Sequence, residues 1–173
     1  SGEAYDIDRV SPDISSVTVP ASKTYHAGEQ LQFTVQFDEA VIVDTTGGTP
    51  SIALTLDTGG VVQANYTSGS GTSALTFSYT VVAGNADANG IQASSSIALN
   101  NGTLRDAVGN PADLTLGVIP SLSGVLVNAL APTVTSIVRN GDALTNATSV
   151  SYTVTFSESV TGVDATDFIL DTN

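Results

Sequence analysis

The chain has 173 residues, of which 41% are hydrophobic, so it can form the core of one or two domains of ordinary size. Seventeen acidic and four basic residues give a formal net charge of −13, which repels nucleic acid and anionic membranes and suits cations. The absence of cysteine excludes disulfides, thiolate metal sites and thiol nucleophiles, and no apolar run approaches the roughly 20 residues that span a bilayer, so we expect no membrane insertion.

Alternating apolar and polar residues predict a series of short strands. In chain order these strands are 14–19, 31–44, 52–56, 61–66, 75–81, a weaker strand at 91–99, and closing edges at 114–116 and 125–127. The sequence Asp57-Thr-Gly-Gly60 predicts a tight hairpin turn between two of them. The stretches 21–29, 84–90 and 101–113 are rich in turn residues and are predicted to be loops. No stretch has a helical period, so the fold class is all-β.

The sequence pattern of the strand at 31–44 is repeated near the end of the chain. Both copies place apolar residues on every second position, and these residues are Leu31, Phe33, Val35 and Phe37 in the first copy and Val150, Tyr152, Val154 and Phe156 in the second. In each copy the next residue with the same parity is an acid, Glu39 or Glu158, with an offset of 158 − 39 = 119. The prolines before each copy, Pro12 and Pro132, have nearly the same offset, 132 − 12 = 120. A repeat of this length is the size of a whole domain.

The repeat predicts one complete domain flanked by parts of two others. Residues 1–11 are the end of a preceding repeat and a linker, 12–130 form the complete repeat, and 131–173 are the truncated N-terminal part of a second repeat. Only three strands are predicted in that last part, at 134–139, 150–160 and 168–170. Three strands of a sandwich leave an apolar face uncovered. We therefore expect either disorder there or completion of the sheet by another chain, with self-association through edge pairing or swapping.

Seven to eight short strands with regularly spaced turns predict a two-layer β-sandwich for the complete repeat. A Greek-key arrangement of seven strands fits the length with generous loops. A jelly roll or a small barrel is the alternative.

Several stretches resemble a known family. The run Leu31-Gln-Phe-Thr-Val-Gln-Phe-Asp-Glu-Ala-Val41, the loop Asp87-Ala-Asn-Gly-Ile91 and the run Leu104-Arg-Asp-Ala-Val-Gly-Asn-Pro111 are similar to the bacterial immunoglobulin-like (cadherin-like) tandem repeats of large surface adhesins. The segment beginning Ala131-Pro-Thr-Val134 resembles the start of a related repeat. The resemblance covers the chain from about Pro12 to its end. It implies an immunoglobulin-like Greek-key sandwich, a secreted or cell-surface location, a place in a long extension region, and calcium at the junctions between repeats. The lack of cysteine agrees with a bacterial source.

In a sandwich of this topology, several acids would meet where the preceding repeat attaches. The first strand begins at that end and the second strand returns to it, which would bring Glu39 close to the linker. The polar loop at 101–113 would reach the same end. Because Ca²⁺ takes six to eight oxygen ligands from any set of segments, we expect a calcium site there. Its candidate ligands are Asp6, Asp8, Asp13, Glu39, Asp106, Asn110 and Asp113.

The junction between the two repeats has an equivalent set of candidates. They are Asn128 in the linker, Glu158, Asp164 and Asp167 in the second repeat, and Asp87 and Asn89 in a loop expected at the far end of the first repeat. Asn128 stands where the first linker has Asp8. One charged ligand fewer predicts a weaker second site or none. Neither Asp87-Ala-Asn-Gly90 nor Asp164-Ala-Thr-Asp167 has the spacing and final glutamate of an EF-hand loop.

The alternative is that these acids are ordinary solvated turn residues, with Glu39 swung outward by a bulge. Catalysis is not expected, because no nucleophile, acid–base pair or nucleotide fingerprint is visible. Asp38 and Glu39 are neighbours on a strand and point to opposite faces. His26 is the only histidine and is interpreted as a loop or turn residue.

The sequence therefore predicts a non-catalytic structural extender, with neighbouring repeats of the same chain as its partners and calcium as a stiffening ion. A carbohydrate- or ligand-binding module is the first alternative, and an exposed, coplanar Tyr25 or Tyr66 would favour it. Tyr79 and Tyr152 have the parity of buried residues. Homophilic adhesion through an edge strand is the second alternative.

Overall fold

The computed structural model describes residues 7–142, 146 and 148–169. The chain folds as two units, a first unit of residues 1–130 and a second unit of residues 131–173. Both are built from β-strands. Among the described residues the only helical element is a single 3₁₀ turn, Ala165–Asp167, in the second unit.

The described residues of the first unit form ten strands. In chain order they are β1 (Ile14–Thr18), β2 (Lys23–Tyr25), β3 (Gln30–Asp44), β4 (Ser51–Leu56), β5 (Gly60–Ser68), β6 (Thr72–Thr80), β7 (Ala86–Asp87), β8 (Gln92–Ala93), β9 (Thr103–Arg105) and β10 (Val125–Asn128).

These strands form two sheets that enclose one core. The larger sheet is antiparallel, has the order β1-β3-β6-β5-β4-β8 with β9 added to the far part of β3, and curls into a half-barrel. The smaller sheet has the order β2-β10-β7, with β2 and β10 parallel. Side chains from both sheets fill the core, which gives the unit a sandwich-like character.

The long strand β3 is the centre of the larger sheet. Its odd-numbered residues from Leu31 to Phe37 are buried and its even-numbered residues face outward, as the alternation predicts. It pairs with β1 on one side and β6 on the other, and beyond a register shift between Gln36 and Val41 it also pairs with β9. This irregular stretch of β3, residues 37–40, lies next to the start of the unit, because Ile14 pairs with Phe37.

The predicted hairpin between β4 and β5 is confirmed. Leu56 pairs with Gly60, and the turn uses left-handed backbone at Gly59 (φ 108°) and Gly60 (φ 70°). Side chains other than glycine rarely adopt such angles, which is why the sequence signal at this turn was reliable.

Other strand predictions were wrong. The segment 91–99 contains only the two-residue strand β8 and isolated bridges at Ser96 and Ala98, and 114–116 contributes a single bridge at Thr115. Conversely, β2, β7 and β9 lie in stretches predicted to be loops. These strands are two or three residues long and are held by backbone pairing to longer neighbours. Too few residues alternate in them to produce a visible period.

The second unit contains the antiparallel pair β11 (Val134–Asn140) and β12 (Ser151–Phe156). Its register repeats that of β1 and β3: Val134 pairs with Phe156 as Ile14 pairs with Phe37, and each pair is followed by a shift of one residue on the first strand. Phe168 and Ile169, predicted to begin a third strand, are not in a strand, and Leu170 lies outside the described residues.

Candidate metal centre

Three of the predicted ligands come together at the start of the first unit. Asp8, Glu39 and Asp106 each offer a carboxylate oxygen, and these three oxygens lie within 4.8 Å of one another. They belong to three separate segments: the chain before β1, the irregular stretch of β3, and the loop after β9. We call them the acidic triad. Among the described residues, no other group of three or more Asp, Glu, His or Cys side chains brings its ligand atoms this close together.

Asp106 is the rigid member of the triad. It is buried, and its Oδ1 accepts hydrogen bonds from the backbone N–H groups of Val108, Gly109 and Asn110 at 2.9, 2.6 and 2.8 Å. Burial raises the pKa of this carboxyl, but the hydrogen bonds from Asn110, Gly109 and Val108 outweigh burial and hold the pKa below its usual value. Asp106 is therefore a fixed negative charge.

Glu39 has the opposite electrostatic balance. It is half-buried and continues the inward parity of β3 between the buried residues Phe37 and Val41. Desolvation raises its pKa, and the negative charges of Asp8, Asp106 and Asp38 raise it further. Among the described residues no donor is hydrogen-bonded to its carboxylate, so Glu39 is the member of the triad that a bound cation would stabilise most.

Asp8 ties the triad to the chain that precedes the first strand. Its Oδ1 accepts a hydrogen bond from the N–H of Val10 at 3.0 Å, and the side chain is exposed. Asn110 links Asp8 to Asp106, because its Nδ2 donates to Asp106 Oδ2 at 2.7 Å and lies 3.5 Å from the carbonyl oxygen of Asp8. The acidic triad and Asn110 therefore form one polar network across three segments.

Asp13 and Asp113 lie at the same end of the unit but make other contacts. The backbone N–H of Asp13 donates to Asp38 Oδ1, and the backbone N–H of Asp113 donates to the carbonyl of Pro12. The carboxylate of Asp113 accepts from the N–H of Thr115, which lowers its pKa. Asp6 lies outside the described residues.

At the opposite end of the first unit, Asp87 and Asn89 belong to a second polar network. Asp87 is buried, its Oδ1 accepts from the N–H of Gly90 at 2.7 Å, and its Oδ2 accepts from the N–H of Asp57 at 3.2 Å. Asn89 donates to the carboxylate of Asp57. Asp57 is a member that the sequence reasoning missed, since it was assigned only to the hairpin turn. Through these hydrogen bonds the network joins the loop at 84–90 to the β4–β5 turn.

Asn128 is the last residue of β10. Asn128 accepts from the N–H of Leu130 through Oδ1, and its carbonyl oxygen is 2.9 Å from His26 Nδ1. His26 lies between β2 and β3, as a turn residue should.

In the second unit, Asp164 and Asp167 form a capping box around the 3₁₀ turn. The hydroxyl and N–H of Thr166 donate to Asp164 and lower its pKa. Glu158 is exposed and follows the end of β12.

The tyrosines bear on the sugar-binding alternative. Tyr25 is buried, and Tyr66 is half-buried, packs edge-on against Phe77 and accepts a hydrogen bond from Ser70. Neither is the exposed ring that such a platform needs. Tyr152, predicted to be buried, is half exposed because the described residues leave its face of the sheet uncovered.

Comparison of the chain with protein-family models, with curated proteins and with solved structures gives no match in any of the three. None of the helical structure that the coordinates describe is long and apolar enough to cross a membrane.

Proposed function

We propose that the chain is a non-catalytic structural repeat from the extension region of a large secreted or cell-surface bacterial adhesin, stiffened by calcium where one repeat meets the next. The acidic triad carries this proposal. In it, a carboxylate oxygen of the segment before β1 lies within 4.8 Å of carboxylate oxygens from two other places in the first unit.

The chemistry of the triad suits a hard cation. Ca²⁺ prefers oxygen ligands at roughly 2.3–2.6 Å, and carboxylates bind it in one- or two-oxygen modes. Asp8, Glu39 and Asp106 would supply the charged ligands, and Asn110 an amide oxygen if its side chain turned. The raised pKa of Glu39 reflects repulsion and desolvation that a divalent ion would offset.

A cation held there would restrict the linker. Without it, Asp8 connects to the body through the weak 3.5 Å contact between its carbonyl oxygen and Asn110. Ion coordination by Asp8, Glu39 and Asp106 would replace this contact with strong bonds and convert a hinge into a stiff joint. Stiff joints are what an extender needs to hold a distal domain away from a cell.

The finer fold assignment belongs to the same proposal. We infer that the two sheets of the first unit are an immunoglobulin-like Greek-key sandwich with a strongly curled larger sheet. The enclosed core and the antiparallel pairing of β1, β3, β6, β5 and β4 support it. The parallel pairing of β2 with β10 would be the edge variation of this fold.

Calcium titration by isothermal calorimetry tests the metal assignment. Glu39→Gln removes one charge from the triad, and Glu158→Gln removes one charge at the repeat-equivalent position of the second unit. We expect Glu39→Gln to lower the affinity of the strongest calcium site at least about tenfold. We expect Glu158→Gln to leave the affinity of that site as it is in the wild type. Equal binding by wild type and Glu39→Gln would contradict the assignment.

Small-angle scattering tests the mechanical role separately. A larger maximum dimension with calcium than with chelator supports a stiffened joint. Calcium binding without any change in dimension would retain the site and refute the stiffening.

A further inference from the structure

Within the second unit, an apolar face of the β11–β12 pair is not covered by any other described residue of that unit. Its members line a groove of about 480 Å³ on one side of the β11–β12 pair, and they are Ile137, Val150, Tyr152, Val154, Phe168 and Ile169. We call this the apolar face. Ile137 is 62% exposed and Tyr152 is 50% exposed. Soluble proteins rarely leave such clusters exposed unless a partner covers them.

In the first unit, the equivalent face is buried. The matching registers make Ile137 the counterpart of Val17 and Val154 the counterpart of Val35. Val17 and Val35 are 5% and 0% exposed, because further strands of the first unit extend the sheet and cover it. The same local hairpin is therefore built to be one layer of a packed pair.

The edge of the hairpin is open as well. In the first unit β3 is paired on both sides, by β1 and β6. Its counterpart β12 is paired by β11 alone among the residues described. The six residues of β12 contain neither a proline nor a charged side chain, which are the usual protections of an exposed edge.

The distribution of charge favours a second copy of this chain as the partner of the apolar face. The chain carries a net charge of −13, so two copies repel each other over most of their surface. Between residues 134 and 157 the only charged residues are Arg139 and Asp142, which cancel. Arg139 pairs with Tyr152 and lies at the margin of the apolar face. The β11–β12 hairpin is therefore neutral, and the acids nearest in sequence to the rest of the apolar face are Asp164 and Asp167, before Phe168 and Ile169.

We propose that two copies of this chain associate through their second units, with the apolar face of one packed on the apolar face of the other. The arrangement is isologous, so each copy buries the same residues. It supplies the second layer that the hairpin lacks, at the spacing of about 10 Å typical of packed sheets.

The area sets the expected strength. Five members of the apolar face are between 46% and 95% exposed, and a large apolar side chain presents on the order of 100–200 Å². Burying them removes roughly 1,000 Å² from the two copies together, which is at the lower limit for a specific interface. The dimer should therefore be weak, with a dissociation constant on the order of 10–100 μM.

Sedimentation analysis of the full chain over a range of concentrations tests this, in chelator so that calcium plays no part. The disrupting variant is Ile137→Glu, and the matched control is Val138→Glu, which places the same charge on the next residue of β11, 56% exposed and outside the groove. We expect wild type and Val138→Glu to form dimers with similar constants and Ile137→Glu to weaken association at least about tenfold.

Three results would overturn the proposal. The first is a wild type that stays monomeric at several hundred micromolar. The second is a Val138→Glu variant as impaired as Ile137→Glu. The third is an Ile137→Glu variant that dimerises normally, which would point to edge pairing of β12 instead. Circular dichroism of each variant, expected to match the wild type because both substituted side chains are exposed, ensures that a loss of dimer is not a loss of fold.

Discussion

The pair β1–β3 in the first unit and the pair β11–β12 in the second are two versions of one hairpin-like element in different surroundings. They share apolar parity, pairing register and the position of the bulge. Phe37 in the first is buried, whereas its counterpart Phe156 is half-buried. The difference teaches that alternation specifies which face a residue takes, while burial depends on whether other strands arrive to cover that face.

The comparison extends to the acids that follow each strand. Glu39 lies among Asp8 and Asp106, and its pKa is raised by desolvation and by those charges. Glu158 has the same place in the repeat but is exposed beyond the end of β12. The same residue in the same sequence position thus becomes part of a charged cluster only where a linker and a loop converge on it.

The largest expected effect comes from truncating the matched phenylalanines. Phe37→Ala removes a buried ring and should cost the first unit about 3–5 kcal/mol of unfolding free energy, through lost burial and a cavity. Phe156→Ala should cost the second unit well under half of that, since the ring is already partly solvated. Hydrogen exchange followed by mass spectrometry reports each unit separately. Similar losses in both units, at a protein concentration where the chain is monomeric, would contradict this prediction.

A smaller effect is expected from removing the acids that accept backbone hydrogen bonds in each unit. Asp106→Ala removes a buried acceptor that three N–H groups of the loop after β9 share in partly buried hydrogen bonds, and it should lower the melting temperature of the first unit. Asp164→Ala removes an exposed cap of a single 3₁₀ turn and should have little effect. Calorimetric scans of the two variants measure the melting temperatures. An Asp164→Ala variant that loses as much melting temperature as Asp106→Ala would contradict this prediction.

The pH dependence of Asp106 follows from its lowered pKa. Its contribution to stability is fully present above its ordinary value of 3.8 and is lost as the pH falls through the lower value of the folded state. Between pH 7 and about pH 4 the difference in melting temperature between wild type and Asp106→Ala should therefore stay nearly constant, and it should shrink as the pH falls below 3.8. A difference that already disappears near pH 5 would contradict this ordering.

The smallest effect, and opposite in sign, is expected for Glu39→Gln. Because the pKa of Glu39 is raised above its ordinary value of 4.5, the folded state favours the protonated form. That stability is present in acid and is lost as the pH rises through the raised pKa. In chelator at pH 7, Glu39→Gln should therefore melt slightly above the wild type, and the gain should vanish below about pH 4. Glu158→Gln, the matched control, should melt as the wild type does.

The sequence predicted the long strands of the first unit and the β4–β5 hairpin, because alternation and glycine-rich turns act locally. It did not predict β2, β7 and β9, which exist only because a longer strand offers a backbone partner. Among the acids, the parity of Glu39 indicated an unusual position, and Asp8 and Asp106 lie beside it. No local pattern indicated that Asp87 would be buried and hydrogen-bonded to Asp57, since that contact joins residues 30 positions apart.

Crystallographic location of the cation tests the central claim most directly. In crystals of the full chain grown with calcium, the proposed function predicts an ordered ion about 2.3–2.6 Å from carboxylate oxygens of Asp8, Glu39 and Asp106, identified by its anomalous signal. Two results at a saturating calcium concentration would contradict it. One is water alone between these three carboxylates, and the other is a calcium ion bound only at other residues.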